Sequence, residues 1–131
     1  MITSSGLKLA SLNVLIDEFA ASAVRQAEAQ EDVEPGNEDD YEAVNREIAW
    51  GWEVRDEILL RGQDGVVELI TLFSHPDMQV KLCAAKAIME IEPLEARRMV
   101  EWIANEAYPP QSGDAGMCLL YIDRKLPWQK T

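Results

Sequence analysis

Apolar residues recur every three or four positions along most of the chain, which is the period of an amphipathic helix. The clearest case is a pair of short segments on either side of residues 74–77. Their apolar faces comprise Val66, Leu69, Ile70 and Phe73 in the first segment, and Val80, Cys83, Ala84, Ala87, Ile88 and Ile91 in the second. Pro76 cannot continue the first segment as a helix and suits the first turn of the next. The pattern therefore predicts two short antiparallel helices joined by a tight turn.

The same period, interrupted by proline, glycine and acidic runs, predicts about six helices in the whole chain. They cover residues 11–30, 39–60, 64–73, 77–91, 94–107 and 113–125. The second helix should end at Gly62 in the left-handed conformation of a C-terminal cap, and Pro93 suits the first position of the fifth. Residues 31–40 form an acidic run broken by Pro-Gly, so we expect a loop there. The predicted fold is all-α, with the helices arranged in three antiparallel hairpins.

Helical wheels predict which faces of the first two helices are buried. The first helix is predicted to bury Leu12, Leu15, Ile16, Phe19, Ala20 and Ala23, and the second Tyr41, Val44, Ile48, Trp52 and Leu59. The opposite face of the second helix carries Arg46, Trp50, Glu53 and Glu57. Arg55 falls within the apolar face, and an unpaired buried guanidinium is costly. We therefore expect Arg55 to have a carboxylate partner, supplied by Asp17, Glu18 or Asp56.

Composition narrows the choice of partners. The chain has 131 residues, 47% of them hydrophobic, which is enough for one domain over residues 1–131 with a substantial core. The net charge is -12 and the pI is about 4.4. Nucleic acids and anionic membranes are bound by neutralising phosphates with lysine and arginine, so neither is an expected partner. A basic protein is favoured instead.

The expected location is the cytoplasm. Asp17 and Glu18 interrupt the apolar pattern near the N-terminus, so we expect neither a signal peptide nor a membrane span. Cys83 and Cys118 lie in apolar helical patterns and lack the CxxC spacing of redox and zinc motifs. They are predicted to be reduced, buried thiols.

The central helix pair resembles the HEAT repeat. Residues 75–77 read His-Pro-Asp, and residues 80–87 read Val-Lys-Leu-Cys-Ala-Ala-Lys-Ala, like the turn and second helix of that repeat. The whole chain is similar to a small bacterial HEAT-like family of unknown function, through Asn45-Arg46, residues 59–62, and Pro93 with Ala96. The resemblance implies a short α-solenoid that acts as a binding scaffold. The family supplies a fold without supplying an activity.

Negative charge is concentrated between Glu28 and Glu57, where twelve acidic residues face two basic ones. Since the wheel turns Trp50 toward solvent in this region, it is predicted to be an apolar anchor surrounded by steering charges. The predicted partner-binding residues are Asp39, Asp40, Trp50, Glu53 and Glu57. The alternative is that this face merely keeps the protein in solution, with Trp50 lying against the acidic loop.

Candidate catalytic chemistry is sparse. His75 is the single histidine, so a Ser-His-Asp or Cys-His pair would have no choice of base, and a multi-histidine metal site is excluded. Its place in the turn favours a structural role, and no catalytic residue, cofactor or metal is predicted. Carboxylates on neighbouring helices are similar to those of all-α nucleotide pyrophosphohydrolases, which hold magnesium. The two groups are Glu28, Glu31 and Asp32, and Glu53, Asp56 and Glu57. In the second group, the spacing from Glu53 to Asp56 is one residue shorter than the corresponding spacing in those enzymes.

The sequence is therefore interpreted as a non-enzymatic protein-binding module. The preferred hypothesis is an immunity or antitoxin-like protein that sequesters a basic partner such as a toxin enzyme, for example a nuclease. The alternative is a housekeeping HEAT-repeat adaptor or assembly factor that uses a groove containing Lys81, Lys86 and Arg97-Arg98. The remote alternative is a metal-dependent nucleotide pyrophosphohydrolase. Charge alone does not predict whether the chain self-associates.

Overall fold

The computed structural model describes residues 2–123, and every regular element in that range is helical. Six α-helices follow one another: α1 (Leu12–Glu31), α2 (Glu38–Leu60), α3 (Gln63–Thr71), α4 (Met78–Ala87), α5 (Pro93–Glu106) and α6 (Gln111–Ile122). Short 3₁₀ helices occupy Ser4–Leu9, before α1, and Leu72–Ser74, after α3. The all-α prediction is confirmed for this part of the chain. The predicted end of the sixth helix at Lys125 lies outside the described residues.

Local capping chemistry explains most helix boundaries. The Ser11 hydroxyl accepts a hydrogen bond from the Val14 N–H, and the Asp77 carboxylate accepts one from Val80 N–H. Asn37 Oδ1 accepts from two N–H groups in the first turn of α2. Gly62 has φ of +74°, as predicted for the residue that ends α2.

Helix α4 ends four residues earlier than predicted. It stops at Ala87, and Glu92 has a non-helical backbone conformation, with φ of -127° and ψ of 69°. The residue before a proline is disfavoured in helical geometry, so Pro93 starts α5 only after the chain has left α4. Ile91 consequently lies outside any helix and is 47% exposed, contrary to the predicted apolar face.

The chain divides into two compact units between Leu72 and Phe73. In the first unit α1 packs on α2, and α3 contacts both. The buried side chains of this unit include Leu15, Ile16, Phe19, Ala23, Val54, Ile58 and Leu69. The predicted buried face of α1 is therefore confirmed at four of its positions. The expectation of one domain over residues 1–131 stays a prediction.

In the second unit α5 packs against both α4 and α6. Its core comprises Leu82, Ala85, Val100, Ile103 and Ala115. Ile88 is also fully buried, as predicted. Two large apolar side chains of this unit are exposed: Leu94, in the first turn of α5, and Tyr121, near the end of α6.

The predicted buried face of α2 is confirmed at Val44 and is wrong at Tyr41 and Trp52. Trp52 is 58% exposed and Tyr41 is 48% exposed, whereas the residues of α2 that are buried are Val44, Gly51, Val54 and Ile58. The physical reason is the contact at Gly51. A Cβ atom there would lie 2.8 Å from Gln26 Nε2 and 3.1 Å from Ser22 Oγ, so α1 approaches α2 where α2 has no side chain. A wheel weighted by large apolar side chains places the buried face elsewhere.

Gly65 imposes a second close approach. A Cβ atom on Gly65 would overlap the backbone carbonyl of Ile58, which belongs to the preceding helix. Backbone cannot move aside as a flexible side chain can. The glycine therefore allows α3 to begin directly against α2.

We expect Gly65→Ala to destabilise the protein by about 3 kcal/mol or more, because the added methyl overlaps main chain. Gly113→Ala is the matched control, since nothing lies within 4 Å of a Cβ at that helical position. It should be neutral or stabilise by about 0.5 kcal/mol through helix propensity. Urea unfolding followed by circular dichroism measures both. Equal unfolding midpoints for the two variants would contradict this packing.

Neither Cys83 nor Cys118 forms a disulfide. Both are partly buried rather than fully buried. Burial raises the pKa of the Cys83 thiol to about 11, and burial also raises the pKa of Cys118. The thiolate is the nucleophilic form, so both groups should react slowly near neutral pH.

We expect alkylation of Cys83 at pH 8 to be on the order of a hundredfold slower in the folded protein than in urea, because a pKa of about 11 leaves little thiolate. The rate in the folded protein should rise with pH through that value. Mass spectrometry of iodoacetamide-treated samples, digested at timed intervals, gives the rate for each cysteine separately. Equal rates with and without urea would show that the thiol is not sheltered.

Candidate functional site

Negative charge is distributed unevenly between the two units. Residues 1–72 contain sixteen acidic and five basic residues, whereas residues 73–131 contain eight and seven. Almost the entire net charge of -12 therefore belongs to the first of these ranges. Any electrostatic attraction of a basic ligand arises mainly there.

Four of the five predicted partner-binding residues are carboxylates, and the structure places them in different environments. Asp39 and Glu53 are exposed, and Glu53 accepts a hydrogen bond from the Ser4 hydroxyl at 3.2 Å. Asp40 is half-buried and accepts the Glu34 N–H at 3.1 Å. The Glu57 side chain is 12% exposed and pairs with an arginine four residues later. Asp39 and Glu53 are thus the members of the set that present charge to solvent.

Trp50, the fifth predicted residue, is half-buried and bonded within the protein. Its indole N–H donates to Glu18 Oε2 at 2.8 Å. The same oxygen accepts from Arg25 Nη2 at 2.6 Å, and Arg25 Nε contacts Glu47 at 3.1 Å. The hydrogen bond to Glu18 raises the pKa of Arg25 above its usual value. Trp50 therefore ties α2 to α1 rather than standing free as an anchor.

Arg61 has a structural role that the sequence analysis missed. Its Nη2 atom lies 2.9 Å from the carbonyl oxygen of Ala10, 3.2 Å from that of Leu7 and 3.4 Å from that of Lys8, and its two N–H groups are shared among these oxygens and Glu57, at 3.2 Å. One guanidinium thus satisfies the carbonyl end of the first 3₁₀ helix and holds that segment to α2. Nothing in the local sequence pattern signals this contact, because its partners are about fifty residues away.

One partly exposed stripe of α2 carries large apolar side chains among the polar residues that this helix presents to solvent. Tyr41 and Trp52 are exposed on one stripe, with Ile48 and Leu59 half-buried on the same stripe. Leu60, at the end of α2, is 77% exposed. Large apolar side chains in a row on an exposed helix face are typical of an interaction surface.

Trp52 is partly covered by Arg55, whose guanidinium carbon lies 4.6 Å from the centre of the indole ring. Arg55 also forms an ion pair with Asp56 at 2.8 Å, so one of the three predicted carboxylates is its partner. The pair is at the surface, with 27% and 64% of the two side chains exposed. Arg55 is therefore half-buried rather than buried as predicted, because the stripe that contains it is partly open to solvent.

Three of the four cations assigned to the alternative groove form close contacts within the second unit, whereas Arg98 is 76% exposed and lies 4.0 Å from Glu95. Lys86 pairs with Asp114 at 3.0 Å, and Arg97 pairs with Asp123 at 2.6 Å. The Lys81 ammonium lies 4.7 Å from the centre of the Trp102 ring. Asp123 raises the pKa of Arg97 through a hydrogen bond and its charge. Lys81, Lys86 or Arg97 would have to give up one of these intramolecular contacts in order to bind an external ligand.

Residues 2–123 contain no group of three or more histidine, cysteine, aspartate or glutamate side chains arranged to hold a metal ion. None of the described helices is both long and apolar enough to cross a bilayer. A shallow, open depression lies at residues 35–39, where the lining is mostly polar.

The two tryptophans of α2 give a matched test of these assignments. We expect Trp50→Ala to lower the free energy of unfolding by about 2–4 kcal/mol, because it removes a half-buried ring and its bond to Glu18. Trp52→Ala should cost about 1 kcal/mol or less, since the ring is largely in solvent. Urea unfolding measures both. A larger loss at Trp52 than at Trp50 would reverse the assigned orientation of α2.

Comparison with known proteins identifies a family. Residues 13–123 match the model of the family described as "Domain of unknown function (DUF2019)". The chain is similar to a crystal structure of the protein RPA1889 from Rhodopseudomonas palustris CGA009, with 34% identity and a TM-score of 0.78. That similarity covers 90% of this chain and 93% of the other. No curated protein matches the chain. The chain belongs to the DUF2019 family.

Proposed function

We propose that this protein is a non-enzymatic module that binds a basic protein partner through the exposed face of α2. One observation carries the proposal: Trp52 and Tyr41 are exposed, on the helix that lies within the most acidic part of the chain. An aromatic side chain with large exposed area supplies short-range binding energy. Surrounding carboxylates supply long-range attraction.

The electrostatic part rests on carboxylates that remain unneutralised. Three arginines of the first unit, Arg25, Arg55 and Arg61, are engaged in ion pairs within it. Acidic residues on α2 that remain exposed include Asp39, Glu42 and Glu53. Such a field accelerates association with a basic protein and has less effect on dissociation.

An immunity or antitoxin-like protein is the form of this function that we favour. Sequestering a basic enzyme, such as a nuclease-type toxin, requires rapid capture, which complementary charge provides. The proposal places the protein in the cytoplasm, where thiols such as Cys83 and Cys118 stay reduced.

The other two functions have less support. The groove of a housekeeping adaptor would use Lys86 and Arg97, which are held in intramolecular ion pairs. A metal-dependent pyrophosphohydrolase would use Glu53 and Glu57, which accept bonds from Ser4 and Arg61.

The proposal includes a HEAT-like arrangement of three helical hairpins. The order of contacts between α1 and α2 supports the first hairpin, because Glu18 meets Trp50 whereas the later Arg25 meets the earlier Glu47. In the second unit Gln79 contacts Gln111 and Lys86 contacts Asp114. Contacts that advance together along α4 and α6 are expected for the second helices of successive hairpins, which run parallel in a solenoid.

We expect the double variant Glu42→Lys, Glu53→Lys to bind its partner more slowly. The matched control is Glu90→Lys, Glu106→Lys, which makes the same charge change at two exposed positions beyond Leu72. Immobilised wild type, variant and control are exposed to cytosol of the native organism, and the retained proteins are identified by mass spectrometry. Wild type and control should retain the same strongly basic protein.

Surface plasmon resonance with that purified protein then measures the rate constants at two salt concentrations. The α2 variant should associate about tenfold more slowly at low salt, with a flatter salt dependence, and dissociate at a similar rate. Retention of an acidic or neutral protein, or slower association of the control instead of the α2 variant, would refute the proposed function.

A further inference from the structure

The exposed face of α2 has the spacing of a coiled-coil seam. Starting at Tyr41, the residues on this face follow one another at steps of four, three, four, three and four positions. They are Tyr41, Asn45, Ile48, Trp52, Arg55 and Leu59. This alternation keeps one stripe of a helix facing a second helix along its whole length. The stripe is distinct from the buried face of α2, which contains Gly51 and Val54.

From this spacing we infer that the seam binds an amphipathic, basic helix of the partner protein. The inference rests on the proposed function and specifies its partner more closely. From Tyr41 to Leu59 the seam is about 27 Å long at ~1.5 Å per residue, so it pairs with about five turns of helix. An extended strand would need exposed backbone groups to pair with, and α2 satisfies its own.

Side chains along the seam define what the partner helix carries. Tyr41, Ile48, Trp52 and Leu59 require apolar residues opposite them. Glu42 and Asp56 border the seam on its solvent side and are exposed, so lysine or arginine fits the flank of the partner helix. Asn45 is exposed within the seam, where a polar residue favours one register over others.

Trp52 is the expected anchor of this contact. Arg55 lies over its ring and is held there by Asp56, so the indole is supported while most of its surface stays open. An aromatic side chain that is already ordered loses little conformational entropy on binding. The partner should therefore lose most of its affinity when this ring is removed.

Charge argues against a second copy of the chain as the occupant. Self-pairing along the seam would bring together two copies of residues 1–72, each with a net charge of -11. The carboxylates of Glu42 and Asp56 in one copy would then lie near carboxylates of the other copy, where a basic partner would supply cations. A basic helix removes this repulsion and uses the same apolar stripe.

A photo-crosslinking experiment in native cells tests the inference. The probe is p-benzoylphenylalanine, introduced in place of Trp52, with replacement of Trp102 as the control because that ring is also partly exposed. The crosslinked peptide at position 52 should have net positive charge and apolar residues at alternating three- and four-residue spacing. A synthetic peptide with the sequence of the crosslinked segment should show a stronger helical circular dichroism signal when the wild-type protein is added. Trp52→Ala should weaken its binding about thirty-fold, and Trp102→Ala should change it less than twofold.

Three results would overturn the inference. A crosslink at position 52 to another copy of this chain, with a dimer in sedimentation equilibrium, would make the occupant a second copy. A basic peptide that binds without gaining helix would remove the helical partner but leave the proposed function intact. The third result is no crosslink at position 52 together with slower association of the Glu42→Lys, Glu53→Lys variant. It would show that the partner is basic but binds outside the seam.

Discussion

The rotation of α2 about its own axis depends on the contact between Gly51 and α1. Ser22 and Gln26 occupy the space where a side chain at position 51 would lie, so this side of α2 must face α1. Val54 and Ile58 follow on the same side and are fully buried. The neighbouring stripe, which contains Trp52, is then turned outward. A residue without a side chain thus decides which tryptophan supports the fold and which is available to a partner.

Polar contacts reinforce this orientation. Glu18 accepts hydrogen bonds from both Trp50 and Arg25, and Arg61 connects the first 3₁₀ helix to the end of α2. Each contact is partly shielded from water, where charged hydrogen bonds are stronger than at an open surface. They also engage Arg25 and Arg61, two of the five basic residues in residues 1–72, while most carboxylates of that range remain exposed. The same interactions that fix the helices therefore maintain the negative field on which the proposed function depends.

The second unit has nearly equal numbers of acidic and basic residues. Within the described residues of this unit, Lys81, Lys86, Arg97 and Arg98 contact a carboxylate or an aromatic ring, and burial favours the protonated form of both thiols. Its small apolar side chains, such as Ala85 and Ala115, allow close contact in the core. These features indicate a structural role for this part of the chain and leave the acidic first unit as the candidate for recognition.

The sequence by itself determined the helical class, the order of the helices and most of their boundaries. Ser11, Asp77, Gly62 and Pro93 act on backbone groups a few residues away, so local pattern is sufficient to identify their effects. It also determined the concentration of acidic residues and the buried face of α1. The early end of α4 was the exception, because both a helix and a turn were compatible with the apolar residues before Pro93.

Only the tertiary structure decided how α2 is oriented and what Trp50, Trp52, Arg55 and Arg61 do. The sequence placed most of the predicted partner-binding residues on α2, but a wheel ranks faces by the hydrophobicity of their own side chains. Burial depends on what packs against the helix from elsewhere, and here that contact is centred on Gly51, which contributes no side chain. Two apolar stripes lie on α2, and its own sequence does not distinguish the one that faces α1 from the one that faces solvent.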